Sequence, residues 1–178
     1  MVAYRPTGTT ARGKVSWLFV PSIADTSAPT VDELTATGAV DISCALYEGS
    51  GTVSTEANKV QKPRRLCDEE QYEQFGDTTT TMTDISYAFD PQADDTDPDN
   101  FALAALVQGT TGYLVSRMGL RAKSTDVEAD QWVTCYPVAL GPQTETADTS
   151  EETAEIQITQ PVAITGPSSG RVQVVDGS

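Results

Sequence analysis

In the run DISYAF, residues 84–89, Ile85, Tyr87 and Phe89 alternate with Asp84, Ser86 and Ala88. A period of two puts the three apolar side chains on one face of a β-strand. The same rhythm runs through AVDISCAL at 39–46, where Val40, Ile42, Cys44 and Leu46 oppose Asp41, Ser43 and Ala45. VSWLFVP (15–21), GYLVSRMGL (112–120), QWVTCYPVAL (131–140) and RVQVV (171–175) also read as strands. TTTTMTDISYAFD (78–90) reads as one strand, and EIQITQPVAIT (155–165) as another that Pro161 interrupts, as at an edge or bulge. About eight half-buried strands must cover one another, so the expected architecture is mainly β: a two-sheet sandwich or barrel. Hydrophobic content is only 38%, but Val and Thr are abundant, and β-branched side chains suit a pleated surface.

Two stretches break the period. In APTVDEL (28–34), Thr30 and Glu33 form the S/T-x-x-E pattern of a capped helical turn. The second is DDTDPDNFALAAL (94–106), which admits two readings. As a calcium loop starting at Asp95, it has acids at positions 3 and 5, Asp97 and Asp99. It places Asn100 where the turn needs glycine and Leu106 where a bidentate carboxylate is required. As a helix start, Asp97 serves as N-cap, Pro98 falls at the first helical position, and Asp99 meets the positive end of the dipole. Those features contribute about 1–3 kcal/mol to a short helix. The second reading meets no conflict and predicts one flanking helix over about 98–108, closed by Gly109.

Catalytic chemistry finds no foothold. The chain contains no histidine, which removes Ser-His-Asp and Cys-His catalysis and H-E-x-x-H metal sites. GTTG at 109–112 has neither the glycines nor the lysine of a phosphate loop. Cys44, Cys67 and Cys135 form no C-x-x-C pair, so neither a disulfide framework nor a zinc site is indicated. Cys44 and Cys135 lie in apolar runs and read as core residues, as do Trp17 and Trp132. The expectation is a non-enzyme with no catalytic residues, no cofactor and no metal.

The formal charge is −15, and such a surface repels nucleic acid. The cations are bunched: Arg5, Arg12 and Lys14 near the start, then Lys59, Lys62, Arg64 and Arg65, with none from Leu66 to Ser116. These seven are the candidate subunit-interface residues, because a basic cluster on an acidic chain suits an acidic patch on a neighbouring copy. No early apolar segment resembles a signal peptide, and no run approaches membrane-spanning length.

The expected organisation is one domain over residues 1–178. An N-terminal arm occupies 1–14, a β-sandwich core with its helix 15–141, and C-terminal strands and an arm 142–178. Residues 47–77 are a long, weakly patterned stretch. A connection of that length is usually functional or contains a hairpin of its own.

APTVDELTATGAVDISCAL at 28–46, NFALAALVQGTTGYLVSRMG at 100–119, YPVALGPQ at 136–143 and ITQPVAITGPSSGRVQV at 158–174 together carry a resemblance. In that order, they resemble the major tail protein, or tail tube subunit, of bacteriophages with long flexible tails, in the form common among phages of actinobacteria. The resemblance implies a β-sandwich or barrel with one flanking helix. Six copies would form a ring, and rings would stack into the tube that conducts the genome. It implies contacts with the tail terminator and tail-tip proteins at the tube ends. The lumen would hold the tape-measure protein and then genomic DNA, without specific DNA binding. The location would be the virion tail, assembled in the host cytoplasm. In that family the long loop and the terminal arms reach neighbouring subunits, which by position are residues 47–77 and 1–14. The rival reading is a secreted or cell-surface β-sandwich that binds protein or glycan.

Overall fold

Where DISYAF alternates, the chain is extended and Ile85 and Tyr87 are buried. The computed structural model describes residues 3–150 and 152–177, so the first two residues of the expected arm lie outside it. In chain order the elements are β1 (Val15–Val20), α1 (Val31–Leu34), β2 (Val40–Asp41), β3 (Val53–Gln61), β4 (Glu73–Met82) and β5 (Ile85–Ala88). There follow α2 (Phe101–Ala105), β6 (Thr111–Met118), β7 (Trp132–Leu140), β8 (Thr144–Thr146), β9 (Gln157–Gln160), β10 (Val162–Ile164) and β11 (Val172–Gln173). All the strand pairs are antiparallel.

The largest sheet runs β10-β7-β6-β1-β2, with β11 also on β7. Its two faces are both covered. On one, Trp17, Phe19, Leu114, Val138 and Leu140 pack against Ile85, Tyr87 and Ile158 of the small β5-β9-β8 sheet and against Ala102 and Leu106 around α2. This is the expected sandwich. On the other face, Leu18, Val20, Val115, Val133 and Cys135 pack under Ile23, Leu34 and Val174. Burial on both faces explains why VSWLFV is a nearly continuous apolar run. Burial of Cys135 pushes its thiol up to about 11, so it behaves as a small hydrophobe.

The chain crosses between sheets at Pro161, so EIQITQPVAIT is two strands in different sheets and not one strand interrupted at an edge or bulge. β9 belongs to the small sheet and β10 to the large one. Gly141 makes the corner possible: its N–H donates to the Pro161 carbonyl at 2.8 Å. A Cβ there would lie 2.6 Å from the Pro161 ring.

Both predicted caps form. The Thr30 hydroxyl accepts from the Glu33 N–H, and the Glu33 carboxylate accepts from the Thr30 N–H. The Ala24 and Thr30 amides hold the Glu33 carboxyl below its usual range. Asp97 accepts from the Asp99 N–H at 3.0 Å, with Pro98 in the first turn. The helix it opens is shorter than 98–108: a 3₁₀ turn at Pro98–Asn100, then the five residues of α2. The buried Asn100 side chain donates to the Asp90 and Asp94 carbonyls, drawing the acidic loop around the helix start.

Three expectations are corrected. AVDISCAL is not one strand. The Asp41 carboxylate accepts from the Ser43 N–H, which turns the chain after Asp41. The Ile42 carbonyl then accepts from the amides of Ala45 and Leu46. Burial consequently falls on Ile42 and Ala45, and Cys44 is exposed. The run 78–90 is two strands, because the chain leaves β4 and enters another sheet at β5. Trp132 is 42% exposed and not in the core. It starts β7 beyond the cover of the small sheet, and the Arg171 guanidinium lies 4.3 Å from its ring centroid.

Candidate assembly site

Residues 47–77 contain most of a hairpin that leaves the body of the protein. Among the described residues, β3 and β4 pair only with each other. The nine residues of β3 span roughly 30 Å at the rise of an extended chain. Beyond its first residue, β3 is exposed throughout, and β4 is exposed or partly so until Met82 at its foot. The reason is in the composition. Glu56/Thr79, Ala57/Thr78, Thr55/Thr80 and Ser54/Thr81 are cross-strand partners, so neither face carries an apolar stripe. Thr55 and Thr80 share a hydroxyl contact of 3.1 Å. A register shift between Ala57 and Lys59 bends the ladder before its tip.

The tip loop is tied by the Lys62 N–H to the Tyr72 carbonyl, by the Arg65 N–H to Asp68 Oδ2, and by Arg64 Nη2 to the Asp68 carbonyl. The loop and the adjoining start of β4 also display apolar surface: Leu66 is 111% exposed, Tyr72 61% and, on β4, Phe75 73%.

A groove of about 1070 Å³ lies at the hairpin's base. Val15, Trp17 and Phe19 share one face of β1, and Val15 pairs with Met118 at the end of β6. The small sheet covers this face only from Trp17 inward, so Val15 and Met118 remain exposed. These residues and Tyr136, whose ring centroid is 5.9 Å from that of Trp17, form the floor. Residues 43–53 form one wall, with Cys44 and Glu48 on it, and Arg12 and Lys123 line the rim.

The seven candidate cations fall in three places. Lys62, Arg64 and Arg65 sit on the tip loop, with Lys59 just below on β3. Arg12 and Lys14 stand at the foot of β1. Arg5 lies in the exposed arm, which has no regular structure from residue 3 to residue 11. Gly119 and Ala122 donate backbone hydrogen bonds to Lys14 and Gly13, tethering the arm's root. Lys59–Glu73, at 4.0 Å and 62% exposed on both sides, is the one ion pair among the described residues. A pair so open to solvent contributes little. The other six candidates have no acid partner within the described chain.

Sequence reasoning missed Arg117. It lies on the inward face of β6 with Tyr113 and Val115 and is 1% exposed. Among the described residues no carboxylate pairs with it. Its Nε donates to Ser16 Oγ, Nη1 to the Asp126 carbonyl and Gln131 Oε1, and Nη2 to the Thr125 carbonyl. It pins the 125–131 segment to the sheet. The signal was available: Arg117 continues the Tyr113–Val115 alternation at a position the pattern marks as inward. Among the described residues, no group of three His, Cys, Asp or Glu is placed to hold a metal ion.

The family described as phage tail tube protein matches residues 2–177. The chain therefore belongs to that family: it is a structural protein of the phage tail tube. No curated protein matches it at a significant level.

Proposed function

We propose that this phage tail tube protein forms hexameric rings that stack into the conduit for genome delivery. The observation that carries this reading is the hairpin β3-β4. It is a long ladder whose two outer edges pair with no strand among the described residues, and which carries no apolar face above its foot at Val53 and Met82. An isolated two-stranded hairpin is marginal in water, and open edges are a hazard in a free monomer. In a ring they become joints, since an edge strand can pair with a neighbour. Head-to-tail contacts of this kind close into rings or repeat into filaments.

On this reading the arm through Arg5 and the cations Arg12, Lys14, Lys59, Lys62, Arg64 and Arg65 meet acids of adjacent copies. Terminator and tail-tip proteins bound the tube, and it assembles in the host cytoplasm. The lumen holds the tape-measure protein and then DNA. With −15 per copy, its wall is net negative, so phosphates slide past without being held by cations.

Electron microscopy of the concentrated chain, alone and with tail-tip nuclei, tests the reading. Stacked six-fold rings with an acidic channel are expected. A chain that stays monomeric even on nuclei would overturn it, and a Lys/Arg-lined channel would overturn the lumen assignment. Reversing the charges of Lys59, Lys62, Arg64 and Arg65 together should block tube growth and leave the monomer's circular dichroism unchanged. Normal assembly would remove those four from the interface.

A further inference from the structure

The groove at the hairpin's base has a floor that a monomer leaves open. Its partner surface is present on the same chain but out of its own reach. The tip stands roughly 30 Å from the base of its own hairpin, so it cannot fold back onto the groove beside that base. We infer that the groove receives the hairpin tip of a second copy, with Leu66 and its neighbours seated on the floor formed by Val15, Met118 and Tyr136.

Three observations carry this. Polarity matches: Leu66, Tyr72 and Phe75 are strongly exposed apolar groups at or near the tip, and Val15 and Met118 are exposed on the groove floor. Charge matches as well. Asp68, Glu69 and Glu70 directly follow Leu66 and Cys67, while Arg12 and Lys123 line the groove and have no ion pair among the described residues. Arg64 and Arg65, on the other side of Leu66, find Glu48 among the residues that line the groove. Finally, base and tip are different surfaces of one chain. Tip into groove is therefore a heterologous contact that leaves a free tip and a free groove at each step, the geometry that rings and filaments require. The inference rests on the tube reading and names the joint.

The chain carries its own probes. Cys67 is exposed on the tip, Cys44 is exposed in the groove wall, and Cys135 is buried. Assembled tubes of the unaltered chain are treated with a short bis-maleimide, and the linked peptides are identified by mass spectrometry. An intermolecular Cys44–Cys67 link is the expected product. Two variants at exposed positions, Leu66→Asp on the tip and Met118→Glu on the floor, should each reduce that link and the rate of tube growth by roughly tenfold or more. Both monomers should keep the circular dichroism and melting temperature of the parent. Tubes that give Cys67–Cys67 links instead, or no Cys44–Cys67 link, overturn the inference and leave the tube reading intact. So does a link that both variants preserve. A chain that forms no tube, even on tail-tip nuclei, overturns the tube reading and this inference with it.

Discussion

The β1-β6-β7 body and the β3-β4 hairpin are built from strands of similar length, and they obey opposite rules. In the body, both faces of the sheet are covered and the polar atoms inside are answered; among the described residues no buried side-chain nitrogen or oxygen lacks a partner. Even the outer edge of β7 is closed. β10 and β11 pair with its two ends, and the Ser169 N–H donates to the Cys135 carbonyl between them. Above its foot at Val53 and Met82, the hairpin has neither covered faces nor closed edges among the described residues. One part of the chain is largely finished by its own fold, and the other, on the tube reading, is finished by another copy. A tube subunit needs both: a body stable before assembly, and joints that acquire their partners during it.

Hydrogen exchange gives the largest separation of the two regions. In the free chain, amides of β3 and β4 should exchange at least about a hundredfold faster than those of β6, because local opening of the ladder exposes little apolar surface. In assembled tubes the difference should shrink sharply. Equal protection in the monomer would mean that the hairpin is already held.

Arg117→Met breaks the body alone. It leaves the Thr125 carbonyl, the Gln131 amide oxygen and the Ser16 hydroxyl without their donor, and leaves the Asp126 carbonyl with Gln131 Nε2 alone. At about 1–3 kcal/mol for each buried group left unpaired, discounted for the half-open ones, the expected loss is about 2–4 kcal/mol. Denaturant unfolding of the monomer measures it. A loss below about 1 kcal/mol would show that water replaces the guanidinium and that the 125–131 segment is held by other contacts.

Much of the body was legible because its alternation is written in apolar residues. Ile85/Tyr87, Leu18/Val20 and Val133/Cys135 announce their faces, and Asp97-Pro98-Asp99 announces a helix start. AVDISCAL misled because Asp41 and Ser43 offer the backbone a local hydrogen bond that ends the strand, and periodicity alone does not register that competition. The hairpin was nearly invisible for the opposite reason. Its strands are mostly polar, and Val53, Ala57, Val60, Phe75 and Met82 make no alternating run, so no apolar signal marks them. Of the candidate site, the cluster at 62–65 was readable because its members adjoin in sequence. The groove was not: Arg12 and Lys123 meet only through the pairing of β1 with β6, and Trp132 is exposed only because the second sheet stops short of it.

The smallest predicted effect sharpens the comparison most. Thr80→Ala removes the Thr55–Thr80 contact on the exposed ladder, an interaction of roughly 0.2–1 kcal/mol. Because the hairpin opens before the body does, that energy belongs to the local opening and not to global unfolding. The melting temperature of the monomer should therefore stay unchanged within error, while exchange of the β3 and β4 amides rises up to about fivefold. If the melting temperature falls instead, the hairpin unfolds with the body as one cooperative unit, and the division between a finished body and an unfinished joint does not hold. If neither quantity moves, the pair of threonines carries no weight in solution, and the ladder's stability in the tube comes from its neighbours.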